Sequence, residues 1–564
     1  MQHASGMKIT WSSDPNVAER QMQAIIFCLV AFGYIDSDFD HAEKGFIQGL
    51  IGKLVSDRAG AIEDEATRAD LVKKWGKHYQ EVMDEMDRDI LCHFTESVVE
   101  GETQQSFVLA KLKLGAFELL EQFDDDARGQ MLGAIDELMH ADGAVHPNEQ
   151  AFRDDLEKLL ESDVELELDD TEIVAIDEGK VVIGQIEKVT ARQANHPFLE
   201  PFEWDFADDP DTFKAQAAGD MDLIQRVNDR LAEQRKVGNG KLRGAESMAA
   251  FFGQEPFLDQ HVYVFQPNPA RDVDLLVLGD LHGCYSCLKA ALMQHDFFAK
   301  VEAYKINPDK HPAPYLVLLG DYIDRGRFSY AGTLRAIMQM FAAMPEHVFV
   351  LRGNHEYYVE LKGQVLAPVR PSEAMDSIKS KASKDVLAAY MNLFETLPNM
   401  LVFDKTLFVH GGIPRDKTLS DKWEGLHTLN DRELRFEMLW SDPSDADAIP
   451  DELQAENARF PFGRKQFARF MSKLGCTTMI RGHERVREGF RTIYDGDEGM
   501  LVTLFSAGGK RNDDLPPNSN YLEVTPMALN VRYHEGVSTL TPFALDYARY
   551  NKPEYNNFFK AAVG

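Results

Sequence analysis

Val273-Asp274-Leu275-Leu276-Val277-Leu278-Gly279-Asp280-Leu281-His282-Gly283 decides the fold of this chain. Six residues, nearly all apolar, run into a glycine and then into two metal-binding side-chain types. A short, almost continuous apolar run reads as a strand buried on both faces. The glycine at its exit lets the backbone turn sharply and approach a ligand. The pattern then repeats in the second half of the chain. Tyr315–Leu319 leads into Gly320-Asp321-Tyr322-Ile323-Asp324-Arg325-Gly326, and Val348–Leu351 into Arg352-Gly353-Asn354-His355-Glu356. Leu407–Val409 leads into His410-Gly411-Gly412, and Thr477–Ile480 into Arg481-Gly482-His483. In open α/β sheets, ligands gather outside the carboxyl ends of the strands.

Together the motifs supply Asp280, Asp321, Asp324, four histidines, Asn354 and three arginines. That set suits two metal ions holding a phosphate. Two divalent ions about 3.5–4 Å apart can acidify a shared oxygen and clamp a transferring phosphoryl group. Carboxylate oxygen mixed with imidazole suits manganese, iron or zinc better than calcium. A lone Asp after a strand is usually a turn former or a helix cap, and a lone His is usually a surface or satisfied core residue. Five ordered motifs make those separate explanations untenable together.

The second half, from about residue 261 to 535, resembles the catalytic domain of PPP-family serine/threonine protein phosphatases, within the calcineurin-like metallophosphoesterases. Phe394-Glu395-Thr396-Leu397-Pro398, Leu439-Trp440-Ser441-Asp442-Pro443 and Glu456–Gly463 follow in the family's order, as do Glu488-Gly489-Phe490 and Phe505-Ser506-Ala507. The resemblance implies Asp280 and His282 as ligands of a first metal and Asp321 as the bridging carboxylate. It implies Asn354, His410 and His483 as ligands of a second metal, with the Asn354 amide also reaching a phosphate oxygen. His355 resembles the general acid and Asp324 its orienting carboxylate. Arg325 and Arg459 resemble the guanidinium groups that grip phosphate bidentately, a task Lys does poorly; Arg464 lies nearby as a competitor for the second role. The implied cofactors are two divalent ions, manganese first, with iron or zinc as alternatives. The implied reaction is hydrolysis of phosphoserine and phosphothreonine in proteins by a metal-bridging hydroxide. A small-molecule phosphoesterase, such as a dinucleoside polyphosphate hydrolase, is the alternative, and the intact ligand set speaks against an idle scaffold.

Departures from the family pattern read as a bacterial or otherwise divergent member. After Phe505-Ser506-Ala507 the family continues Pro-Asn-Tyr, where the tyrosine overhangs the substrate; here Gly508-Gly509-Lys510-Arg511-Asn512 follows, and that tyrosine is missing. The segment between Asp442 and Arg459 is unusually rich in acids and alanine. Cys284-Tyr285-Ser286-Cys287 is formally a redox or zinc pair, yet no second C-x-x-C completes it. Two small buried residues on a helix are the expected explanation.

The fold expected is multidomain: an all-α N-terminal domain (residues 1–163), a β-hairpin and linker region (164–260), and an α/β metallophosphoesterase domain with a β-sandwich core flanked by helices (261–564). In the first part, Ala141-Asp142-Gly143-Ala144-Val145 with Glu149 resembles the TerB-like helical domain of tellurite-resistance proteins, implying metal or protein-partner binding; helix capping by Asp142 and Glu149 is the plain alternative. Asp36, Asp38, Asp40 and Glu43 follow an earlier helix in a similar arrangement, as an internal duplication would place them. Ile173–Ile176 and Lys180–Ile183 around Asp177-Glu178-Gly179 read as a hairpin, and Gly238-Asn239-Gly240 as a flexible joint. Tyr547–Phe559 reads as an aromatic tail that packs on the catalytic domain.

In this 564-residue chain, sixty basic against ninety-three acidic residues give a net charge of −33. That argues against a general nucleic-acid or anionic-membrane binder. Five cysteines without a framework fit a reducing cytosol. The first residues lack a signal-peptide pattern, and no apolar run reaches membrane-span length. A cytoplasmic enzyme is expected, with phosphorylated protein substrates and a protein partner for the helical domain.

Overall fold

The computed structural model describes residues 9–35, 41–60, 62–99, 101–140, 145–161, 181–496 and 499–560. The chain forms two compact units, and their boundary is not a single cut. One unit comprises Met1–Glu165 together with Ser444–Asn457; the other comprises Leu166–Pro443 and Ala458–Gly564.

The first unit is helical, with helices Pro15–Gly33, His41–Ala59, Glu65–His93, Gln104–Glu121, Asp125–Met139 and Pro147–Glu161. Their starts carry the expected caps: Asp14 accepts from Asn16 N at 2.8 Å, and Thr103 and Ser106 form a reciprocal capping box. Such side chains satisfy donors that the first helical turn leaves unpaired. Met22, Ile25, Leu29, Phe107, Leu112 and Phe117 build the core. Ala446, Ile449 and Leu453 join that same core. The acid- and alanine-rich stretch expected within the catalytic domain is therefore a piece of the helical unit. Its composition follows from this, because a short inserted segment contributes small apolar residues inward and acids outward.

The second unit stacks two mixed sheets. One holds Val273–Leu278, Ala313–Leu318 and Val348–Val350 as parallel neighbours, continued antiparallel by Met527–His534 and then Val537–Ala544. The other includes Val262–Phe265, Met400–Phe403, Thr406–Val409, Thr478–Arg481 and Gly499–Leu504. Aromatic pairs join the inner faces, Phe265 with Tyr315 at 5.3 Å and Tyr263 with Phe349 at 4.9 Å between ring centroids. The opposite face of the second sheet is covered by helix Arg464–Leu474 through Phe467, Phe470 and Met471. The expected α/β metallophosphoesterase architecture after a helical region is present. All five motif-bearing runs form strands, within a residue or two of the expected bounds.

The expected 164–260 region is described only in part. Ile173–Ile176 and the Asp177-Glu178-Gly179 turn lie outside the described residues, and Val181–Ile183 pairs in parallel with Ser538–Leu540. The supposed linker is largely a structural element of the second unit. Helix Pro210–Gly238 buries Phe213, Leu223, Ile224, Val227 and Leu231 in the main core, while Asp220 pairs with Arg335 through contacts of 2.9 and 3.0 Å. Gly238 is no flexible joint: a Cβ there would stand 2.1 Å from the Leu258 carbonyl oxygen, so the residue is glycine because two backbones meet. The aromatic tail packs on this unit, with Phe558 against Tyr285 at 5.1 Å and Phe328 at 4.3 Å.

Candidate metal centre

The loops leaving three strands of the first sheet and two of the second converge on Asp321. Its carboxylate lies 3.4 Å from His282 Nε2, 3.3 Å from His410 Nε2 and 4.0 Å from His355 Nε2. Asp280 Oδ2 lies 3.8 Å from His282 Nε2. Asn354 Oδ1 faces His410 Nε2 at 2.9 Å and His483 Nδ1 at 3.2 Å. Two sets of three ligands result, His282–Asp321–His355 and Asp321–His410–His483, with Asp321 common to both. Every residue expected at the metals is brought to this one place.

The backbone aims these lone pairs. His282 Nδ1 is 2.9 Å from the Ile323 carbonyl oxygen and His410 Nδ1 is 3.2 Å from that of Leu319. A carbonyl can only accept, so each Nδ1 donates there and each Nε2 is left facing the carboxylates. Turned one way, the Asn354 amide would donate to His483, His410 and Asp321. Turned the other way, its oxygen faces the same two imidazoles, as a metal-ligating amide would. Asp280 Oδ2 decides how well a cation fits, because this buried oxygen has no hydrogen-bond partner. Such an atom is costly unless charge arrives to meet it. The donor set of carboxylate, imidazole and amide matches a pair of hard-to-borderline divalent ions.

Electrostatics carry the same message. Burial pushes the Asp280 carboxyl up to about 7, with His410 opposing and the Asp321 carboxylate reinforcing. Burial raises Asp321 too, but the His410 and His355 imidazoles outweigh it and hold the group well below the usual carboxylate range. Burial lowers His355, yet the Asp321 and Asp324 carboxylates win and lift it above its ordinary value. Its Nδ1 is 2.7 Å from Asp324 Oδ2, and Asp324 is itself held by the Ala374 N–H at 2.7 Å.

Local backbone is strained where the site is built. His282, Asp321, Asp324, Arg325 and His483 all have positive φ, between 42° and 70°. Left-handed backbone is uncommon for residues with a Cβ and collects at functional sites. Close approach explains two neighbouring glycines. A Cβ on Gly353 would lie 2.2 Å from the Asp321 amide nitrogen, and one on Gly482 would lie 2.3 Å from Asp280 Oδ1.

Arg459 donates from Nη1 to His483 Nε2 and stands 3.7 Å from Asp442. Its competitor Arg464 stacks over the Tyr494 ring at 5.0 Å. Arg325 is mostly buried and contacts Glu373 at 3.2 Å. Cys284 and Cys287 are both fully buried, and burial with the adjacent Cys284 thiol pushes Cys287 well above its ordinary range; they are packing residues on or beside helix Tyr285–Gln294.

Three contributors escaped the sequence reading. Glu356 accepts the backbone N–H groups of Asp321, Tyr322 and Gly353 at 2.8, 2.8 and 3.0 Å, so it ties the Asp321 loop to its own loop. Asp442 accepts from the buried Arg481 at 2.7 Å. The third is a tyrosine. The family's tyrosine is missing after Ala507, as the sequence shows, but Tyr521 stands near the site, its ring 5.3 Å from His282 and 5.2 Å from Phe505. The chain after Gly508 makes a longer excursion and returns through the turn at Asn520–Glu523. Motif position alone could not reveal this, because the tyrosine arrives later in the sequence. In the helical unit, Asp36, Asp38, Asp40 and Ala141–Ala144 lie outside the described residues, while Glu149 accepts from the His146 N–H at 3.0 Å, a helix-capping contact.

Residues 273–486 match the family model for calcineurin-like phosphoesterases. A probable serine/threonine-protein phosphatase of Encephalitozoon cuniculi is 28% identical over 278 residues, covering 48% of this chain. The chain spans 54% of that relative, about half its length. Among solved structures, a serine/threonine phosphatase from Saccharomyces cerevisiae with similarity to human phosphatase PP5 is 20% identical, covering 57% of this chain and 89% of its own, at a TM-score of 0.35. A purple acid phosphatase, PPD1, from yellow lupin is 13% identical over 51% of this chain and 57% of its own, at a TM-score of 0.24. This chain carries a calcineurin-like metallophosphoesterase domain. No helix among the described residues is long and apolar enough to cross a membrane.

Proposed function

We propose that the second unit hydrolyses phosphate monoesters, with phosphoserine and phosphothreonine of proteins as its substrates. The observation that carries this reading is the convergence of Asp280, His282, Asp321, Asn354, His410 and His483 on one buried place, beside a carboxylate-braced imidazole. Two divalent ions held there would supply positive charge to phosphoryl oxygens and acidify a water. The residues do the rest. Arg325 and Arg459 bind and orient the phosphate oxygens. His355, kept protonated by Asp324 and Asp321, gives its Nε2 proton to the departing alkoxide. Tyr521 covers the His282 side and excludes water. The helical unit serves as the part that engages a protein partner. Manganese is the leading metal, and a cytoplasmic setting fits the five free cysteines.

The test is manganese-dependent turnover of a phosphoserine and phosphothreonine peptide panel beside diadenosine tetraphosphate, with Asp321→Asn as control. Preferential peptide hydrolysis that the variant loses supports the proposal. Preferential dinucleotide hydrolysis moves the substrate to small molecules and leaves the site assignment standing.

A further inference from the structure

Behind the loop that carries Asn354 and His355, a cavity of about 470 Å³ opens between that loop and helix Arg432–Trp440. Its wall holds four cations, Arg352, Lys422, Arg432 and Arg435, against three carboxylates, Glu395, Asp431 and Glu433. All three carboxylates are already engaged. Glu395 takes Arg352 Nη1 at 3.0 Å, while Asp431 and Glu433 take Lys422 at 3.0 and 2.7 Å.

Arg435 is the exception. It is 8% exposed and has no carboxylate within ion-pair distance among the described residues. Its contacts are neutral, with Nε donating to the Asn430 carbonyl at 3.2 Å and Nη1 to Asn399 Oδ1 at 3.2 Å. Arg432, one helical turn away on the same face, also lacks a carboxylate partner. In the same wall, Arg352 Nη2 and Asn399 Nδ2 are buried donors with nothing to donate to. The field of these groups is felt nearby: burial first, then Arg435, Arg235 and Arg352, together depress His261 to about 3 against the Leu397 carbonyl. A buried guanidinium without a counter-charge is expensive, and a surplus of cation in a chain of net charge −33 is selective placement rather than average composition.

We propose that this cavity is an oxyanion site, separate from the metal centre, that takes a phosphate-class group on Arg435 and Arg432. Arg guanidinium pairs favour that geometry, since two parallel N–H groups match two oxygens. The site is not isolated from the chemistry. Arg352 Nε donates to the Glu356 carbonyl at 2.9 Å, and the Glu356 carboxylate holds the Asp321 loop. The group arrives either free, as inorganic phosphate, or as a second phosphate on a substrate.

Crystals of the full chain grown with manganese and soaked in tungstate test this directly. The expected result is an anomalous peak against Arg435 as well as one at the metal centre, with Arg435→Met losing only the first. Arg432→Ala, at an exposed position, repeats the test with less risk to folding and is expected to weaken the same peak. Tungstate at the metal centre with an empty cavity in the unsubstituted chain overturns the proposal. A filled cavity with nothing at the metal centre instead counts against the proposed function. The two sources separate in kinetics. A KM raised about tenfold by Arg435→Met on doubly but not singly phosphorylated peptides, the scale of one lost charge-assisted contact, identifies a substrate-borne phosphate. Unchanged KM values, with a lost effect of inorganic phosphate, identify the free ion.

Discussion

Both units draw carboxylates into contacts away from bulk water, the helical unit partly and the second unit completely, and they satisfy them in opposite ways. In the helical unit, Glu118 receives the Ser444 hydroxyl at 2.5 Å and the Asp445 N–H at 3.3 Å. Lys113 binds Asp155 at 3.0 Å and also pairs with Glu456. Every partner there comes from the protein. In the second unit, Asp280 Oδ2 has none, and the His282, His410 and His355 imidazoles crowd around Asp321. The first arrangement closes a structural joint. The second is a shell with its centre left for a cation.

Asp321→Asn strikes hardest at the second arrangement, because it removes charge common to both ligand sets. Turnover of a phosphopeptide is expected to fall well beyond a hundredfold, the upper range for losing a mere outer-shell contact. Manganese should raise Tm in the unsubstituted chain and lose that effect in the variant. Equal stabilisation of both by manganese would contradict a shared bridging carboxylate.

His355→Gln separates proton donation from metal binding. With a serine-like leaving group, kcat should drop by roughly 10²–10⁴, the usual worth of a positioned acid. With 4-nitrophenyl phosphate, whose leaving group needs little protonation, the drop should be much smaller. A uniform loss on both substrates would make His355 a ligand rather than the acid.

Breaking the helical joint tests the other side of the comparison. Ile449 is fully buried in the helical core, although its segment, Ser444–Asn457, is flanked in sequence on both sides by the second unit. Ile449→Ala should cost about 2–5 kcal/mol, as truncations of buried aliphatic side chains do. The loss should register in helical-unit unfolding, followed by proteolysis of Ser444–Asn457. Unchanged helical-unit stability would place the segment elsewhere.

The two units were also unequally legible. In the second unit, apolar strands ending at glycine and at carboxylate or imidazole residues exposed the architecture and named the side chains that converge on Asp321, because five motifs carry rare residue types in a fixed order. What stayed hidden depends on tertiary return. Tyr521 comes back to His282 after an excursion whose length no motif dictates. Glu356 sits in a quoted motif, but its service to three backbone N–H groups is invisible until the loops meet. The left-handed backbone at Asp321 and Asp324 breaks the usual residue preference, so propensity argues against what the site requires. In the helical unit, caps and apolar faces revealed helices but not the insertion of Ser444–Asn457, since alanine and acids suit a surface loop equally well. Gly238 misled because close packing and flexibility ask for the same residue.

The smallest effect lies at Glu118, where the joint's own chemistry leaves a pH signature. Burial raises its carboxyl to about 7 from an ordinary 4.5; the Ser444 hydroxyl opposes this and Asp445 adds to it. Between those values the unfolded chain releases the proton while the folded unit retains it. The unfolded state therefore binds fewer protons, and stability must fall as pH rises through that window. Helical-unit Tm is expected to decline from about pH 4.5 to 7, with the decline reduced in Glu118→Gln, whose amide keeps an acceptor for Ser444 without the charge. A variant with the same slope would assign the titration to another group. A variant with a flat profile would mean that the joint holding Ser444–Asn457 tightens on protonation, unlike the metal centre, whose cations require their ligands deprotonated.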